Sequence, residues 1–208
     1  METGNGQVIP KTVFSVDRKV VTDYDRLKRI IDGQKAAGRK IVMTMGVFDM
    51  IHDGHAKYNE LAKSFGDVFV VGVDDDELTR KNKGPGRPYD DLRSRTTVLA
   101  AFAAVDYIMV RGVNEPDTRM AEIVQPDVLI ISLSSTQYQK DSQSFIADMT
   151  KRFKDTGLVK EIVALEPQSS TSTSSKLRQL LAGGMKEFFD YLLKCGEEYL
   201  NKMRSTNA

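Results

Sequence analysis

One cysteine, two histidines and no tryptophan occur in these 208 residues. The lone Cys195 excludes an internal disulfide, and no Cys/His grouping has the spacing of a structural zinc site, so a reducing compartment suits the chain. No run of 18 apolar residues is present, and the opening METGNGQVIPKTVF has no cationic stretch followed by an apolar one. Neither a membrane span nor a signal peptide is expected, and the expectation is a soluble, cytoplasmic protein. Charge of one sign is missing too: 30 basic against 29 acidic side chains leave a formal +1. That balance offers no overall field for nucleic acid or membrane, so any polyanion site must be local.

Hydrophobic residues make up 40% of the chain and charged ones 28%, which suits one substantial core. Residues 1–18 are polar and aperiodic and read as a loose arm. From Asp23 onward, Leu27, Ile30 and Ile31 recur at helical spacing, with Thr22 or Asp23 as N-cap and Gly38 as terminator. RKIVMTMGVF is a short, β-rich apolar run; AKYNELAKSFG places Tyr58, Leu61, Ala62 and Phe65 on one helical face; DVFVVGV is a second buried strand. Strand, helix and strand in succession make a right-handed crossover between parallel strands. The alternation continues through a loop at 80–90, a helix in DLRSRTTVLAAFAAV, strand DYIMV, helix DTRMAEIV, strand DVLIIS, a helix over 141–156, strand VKEIVAL and two C-terminal helices. The expected fold class is α/β, a doubly wound, Rossmann-like parallel sheet of about five strands with flanking helices and a C-terminal helical extension. Its parts would be the arm 1–18, the sheet domain 19–182, and a helix over 183–208 that packs on that domain or on a dimer partner.

In such a sheet ligands bind at the carboxyl ends of the strands. There GVFDMIHDGH holds both histidines, His52 and His55. If a helix starts near His52, the i,i+3 spacing puts both imidazoles on its first turn, where unsatisfied amides and the macrodipole favour an anion. Gly46 and Gly54 would let a phosphate approach the backbone. The pair reads as a phosphate clamp; the alternatives are polar packing or a metal pair, whose third ligand could come only from Asp49 or Asp53. RKNKGPGRPYDDLRSR, residues 80–95, sets six basic side chains against Asp90 and Asp91. It reads as a cationic lid over a triphosphate, with a solvated surface loop as the alternative. STSTSSKLRQLL crowds hydroxyls before a helix whose first turn carries Lys176 and Arg178; an anion would offset those cations, whereas plain capping would use one hydroxyl. DDDE at 74–77 could hold Mg²⁺ or sugar hydroxyls, or be a solvated turn.

GVFDMIHDGH resembles the H-x-G-H signature of the nucleotidyltransferase superfamily, which includes cytidylyltransferases, adenylyltransferases and class I aminoacyl-tRNA synthetases, and TSTSSKLR is similar to its second signature. With KGPGRPYDDLRSR, AAVDYIMV and QPDVLII, residues 19–180 further resemble the adenylyltransferase domain of the bacterial heptose-phosphate pathway. The resemblance implies transfer of a nucleoside monophosphate, AMP before CMP, from Mg²⁺-bound ATP or CTP to a phosphorylated sugar or polyol. Pyrophosphate would leave, and the enzyme would work as a homodimer without nucleic acid or membrane. It also implies that Gly46, Val47, Phe48 and Gly54 offer backbone to the nucleotide and that His52 and His55 contact the phosphates. Lys83, Arg87 and Arg95 would grip the triphosphate and the incoming phosphate, Thr173, Ser174 and Ser175 would hold the leaving phosphates, and Asp49 and Asp76 would line the substrate side. The acceptor's own phosphate oxygen attacks the α-phosphorus, so the reaction needs positioning and charge neutralisation rather than a protein nucleophile. Met45 stands where the heptose-type domain has asparagine, and IISLSS where relatives carry a glycine-aspartate turn. Gln168 stands where glycerol-phosphate cytidylyltransferases show arginine, which leans toward adenylyl transfer. A CTP-dependent cytidylyltransferase of that type and a non-catalytic nucleotide-binding module are the other readings.

Overall fold

The runs IVMTMG and VFVVGVD show no polar alternation because both faces of the sheet they form are covered. The computed structural model describes residues 18–134 and 141–169, and 178–179, 181–187, 189–190 and 193–194 of the C-terminal segment. Met1–Ser170 and Thr171–Ala208 form two compact units. In chain order the first unit contains β1 (Val20–Val21), α1 (Tyr24–Ala36), β2 (Ile41–Gly46), α2 (Asp53–Lys63), β3 (Val68–Asp74), α3 (Asp76–Lys83) and α4 (Leu92–Ala101). There follow β4 (Tyr107–Arg111), α5 (Arg119–Val124), β5 (Val128–Ser132), α6 (Ser142–Met149) with a π-helical turn Thr150–Lys154, and β6 (Glu161–Leu165).

The strands form one six-stranded sheet in the order β1-β4-β3-β2-β5-β6, every pair parallel. The doubly wound α/β class expected from the alternation is what is found. The chain winds outward from β2 through β3 and β4, then returns to β5 on the other side, so the crevice beyond β2 and β5 is the topological switch point where such sheets bind ligands. Alternate residues divide the core. Ile41, Met43, Val68 and Val70 face Leu27 and Ile31 of α1, Met120 and Val124 of α5, and Phe153. Val42, Phe69, Val71 and Val73 face Tyr58 and Ala62 of α2 and Leu99 of α4.

Asp23, rather than Thr22, caps α1, accepting from the amides of Asp25 and Arg26. Two expectations change. A sixth strand exists because Val20 and Val21 pair with Ile108 and Met109, and two residues are too few to leave a period. The loop expected over 80–90 begins later: Arg80, Lys81 and Lys83 lie in the last turn of α3, whose first turn carries Asp76 and Glu77. That charge order matches the helix dipole at both ends.

Candidate active site

The chain leaves β2 at Gly46 and turns through Phe48 and Met50, both left-handed at φ 54° and 46°. A side chain at Gly46 would meet the Phe48 ring at 3.4 Å. The turn delivers His52 to the N-cap of α2 with its Nδ1 accepting from the Gly54 amide at 3.1 Å, while His55 Nδ1 accepts from the His52 amide at 3.3 Å. Two imidazoles thus replace the serine and glutamate of an ordinary capping box. Because each Nδ1 points a lone pair at backbone, each neutral ring carries its proton on Nε2. The rings lie 4.2 Å apart between centroids. The pair therefore presents Nε2–H donors at a helix N-terminus, where the dipole already favours an anion.

Gly54 has a steric reason. A Cβ there would sit 2.8 Å from His52 Cε1 and 2.9 Å from Ser169 Cβ, so the space expected to admit phosphate is filled by the protein's own packing. Ser169 follows β6, and its hydroxyl bonds the Asp53 carboxylate, holding that group below the usual carboxylate range. A serine two residues before the second signature thus touches the first turn of α2. Thr173, Ser174 and Ser175 lie outside the described residues, as do Ser172 and Lys176. Ser169 escaped sequence reasoning, although it belongs to the serine-rich run.

Arg95, expected to grip phosphate, is instead wholly buried. Its Nη1 donates to Val47 O at 2.5 Å and Asp74 O at 2.9 Å, its Nε to Asp90 O at 3.0 Å, and its Nη2 to Asp76 Oδ1 at 2.6 Å. Asp76, expected on the substrate side, is thus the ion partner of that guanidinium. Asp49, expected there as well, is also buried: it accepts from the amides of Tyr89 and Asp90 at 3.0 Å and pairs with Arg87 at 2.8 Å. Asp90 returns the bond by accepting from the Met50 amide at 3.0 Å. The 84–91 loop is therefore stitched to the turn after β2, not free as a loose lid would be. Burying these carboxylates is tolerable because each is met by backbone amides or a guanidinium.

Two cations of the same rim are less committed. Arg87 stacks on the Tyr89 ring at 4.6 Å and keeps a buried Nε with no partner. Lys83 forms no ion pair among the described residues, and desolvation, then the charge of Arg87, pushes its ammonium below the usual lysine range. Asp74, paired with Arg111 at 2.9 Å, is pushed up by burial. Among the described residues no group of three or more His, Cys, Asp or Glu side chains is placed to hold a metal ion.

A parallel sheet whose switch-point strand feeds a histidine-capped helix N-terminus is a doubly wound α/β domain with its candidate site at the carboxyl ends of the strands. The sequence model of the cytidylyltransferase-like family matches residues 43–180, and the chain belongs to that family. Bifunctional protein HldE of Pasteurella multocida is 36% identical over 154 residues, which covers 74% of this chain and 31% of that protein. HldE of Geobacter metallireducens is 42% identical over 110 residues, 53% of this chain and 22% of that protein. The chain thus spans about a third or less of the length of these relatives. The solved structure of the lipopolysaccharide core biosynthesis protein from Thermoplasma volcanium superposes with a TM-score of 0.51 at 26% identity, covering 62% of this chain and 97% of that one. Pantoate-beta-alanine ligase from Francisella tularensis gives 0.51 at 17% identity over 75% of this chain and 69% of that one, a likeness of fold alone. The resemblance read from the two signatures is borne out.

Proposed function

We propose that this chain is a nucleotidyltransferase that moves an adenylyl group from ATP to a phosphorylated sugar of the heptose 1-phosphate type. An oxygen of the acceptor phosphate bonds to the α-phosphorus, the α–β bridging bond breaks, and pyrophosphate leaves. The observation that carries this reading is the His52–His55 cap, whose Nδ1 atoms accept from backbone amides and so fix both imidazoles at the N-terminus of α2. Donors fixed before reaction at the point where charge develops are the main device available to phosphoryl chemistry. Lys83 and Arg87 supply cationic charge on the same rim, and Thr173, Ser174 and Ser175 would hold the leaving phosphates. Arg95, Asp49 and Asp76 act as positioning residues that fix the turn and the 84–91 loop. Mg²⁺ would enter as part of the triphosphate, held by phosphate oxygens.

The relatives named HldE and the lipopolysaccharide core biosynthesis protein support a phosphosugar acceptor. A pyrophosphate-release assay crossing ATP and CTP with heptose 1-phosphate and glycerol 3-phosphate tests the reading. Turnover is expected with ATP and the heptose phosphate; turnover only with CTP and glycerol 3-phosphate, or with none of the pairs, would overturn it. No helix among the described residues is long and apolar enough to cross a membrane, in keeping with a cytoplasmic site of action. Leu181, Met185, Phe189 and Leu193, spaced four apart and 53–67% exposed, support pairing of two copies through the C-terminal segment. Light scattering should then give the mass of a dimer, and a monomeric mass would refute the pairing.

A further inference from the structure

The base of the sheet, at the end opposite His52, holds a cavity of about 520 Å³, within the usual range of small-molecule sites. Three turns wall it, each following a helix end: Gly38 after α1, Gln125 after α5 and Gly157 after the π-helical turn, all left-handed. Pro126, Leu158 and Val159 supply its apolar surface. Four cations line it, Lys35, Arg39, Lys40 and Lys160, against a single acid, Asp127. The Asp127 carboxylate is already engaged by Lys160 at 2.6 Å and by the Ile41 amide at 2.8 Å. Lys35, Arg39 and Lys40 form no ion pair among the described residues.

Cations gather at helix C-termini for a structural reason, so that explanation has to be weighed first. Each helix end carries roughly half a negative charge, and three ends therefore offset about 1.5 of the four positive charges. Asp127 offsets one more, which leaves a surplus of about 1.5 charges in one cavity, in a chain whose formal net charge is +1. Burial pushes the Lys35 ammonium below its ordinary value, against the opposing charges of Asp127 and Asp32. A guanidinium fork beside ammonium groups is the arrangement that suits a phosphate dianion.

We propose that this basal cavity is a second ligand site taking a phosphomonoester, with its phosphate among Arg39, Lys40 and Lys160 and its carbon body against Pro126 and Leu158. The six residues of β2 separate it from the histidine cap by roughly 20 Å. It stands independently of the transfer reaction.

The test uses the full chain, labelled with ¹⁵N and titrated at constant ionic strength with glucose 6-phosphate and, separately, with inorganic phosphate. The amides of Gly38, Arg39, Lys40 and Lys160 are expected to shift saturably, at lower concentration with glucose 6-phosphate. Arg39 and Lys40 are exposed, so the double variant Arg39→Ala, Lys40→Ala keeps the fold. It should weaken the basal response at least tenfold while leaving the response of residues 46–55 unchanged. Basal amides that stay still, that move equally with sodium chloride, that respond alike to both phosphates, or that move unchanged in the double variant would each overturn the proposal.

Discussion

Two sets of polar side chains crowd the same end of the sheet, and they are built in opposite ways. Around Arg95 the donors on all three guanidinium nitrogens are used within the protein: on the carbonyls of Val47, Asp74 and Asp90 and on the Asp76 carboxylate. Around His52 and His55 the Nδ1 atoms accept from the Gly54 and His52 amides, which fixes both rings at the first turn of α2 without burying them as Arg95 is buried. Both sets are rich in the groups that bind phosphate. Burial and prior commitment divide them into a part that shapes the rim and a part that can meet a ligand.

The largest effect should come from Arg95→Ala, which strands three carbonyls and a carboxylate. Breaking a buried pair in this way costs about 3–5 kcal/mol, enough to lower the melting temperature by on the order of 10 °C. Arg95→Lys should not restore it, since one ammonium cannot reproduce the fork. Calorimetry checks this, and an unchanged melting temperature would move Arg95 into the reactive set. His55→Ala should do the reverse: pyrophosphate release falls about 10²–10³-fold, while loss of its cap costs only about 1 kcal/mol.

Gly54→Ala sits between the two, because its Cβ would press on the His52 ring and on Ser169. Overpacking of about 1–3 kcal/mol should appear as lower stability together with lower kcat, in parallel melts and assays. The smallest effect is in pH. Lys83 is pushed below the ordinary lysine value, and its charged form is the one that attracts phosphate. As pH rises through that depressed value the charge is lost, so kcat/KM should fall at lower pH than an ordinary lysine would dictate. Lys83→Arg should carry that limb to higher pH; an unshifted limb would remove Lys83 from the reaction.

Much of this was legible beforehand. The apolar runs of β2 and β3 and the 3.6 spacing of α1 and α2 carried the doubly wound sheet, because parallel strands buried on both faces leave a long, unbroken signal. That both imidazoles lie on the first turn of α2 was legible from their spacing and the strand-to-helix position; that they cap it through Nδ1 was not. The roles of Asp49, Asp76 and Arg95 were not, since a charged side chain looks the same in sequence whether it faces water, a ligand or another loop. One available signal was missed. Asp75 bonds the Leu78 amide and Asp91 the Ser94 amide, the three-residue offset of an N-cap, which would have ended the 80–90 loop at its proper bounds.

Phe48 and Met50 hold left-handed backbone without being glycine, and each such residue costs on the order of 1–3 kcal/mol. Asp49 between them is fastened to the 84–91 loop, so the turn has its shape before any nucleotide arrives. The ordering entropy of this turn therefore falls in the folding equilibrium rather than in any binding equilibrium. Calorimetric titration with ATP should accordingly show a heat-capacity change with no contribution from this turn folding around the ligand.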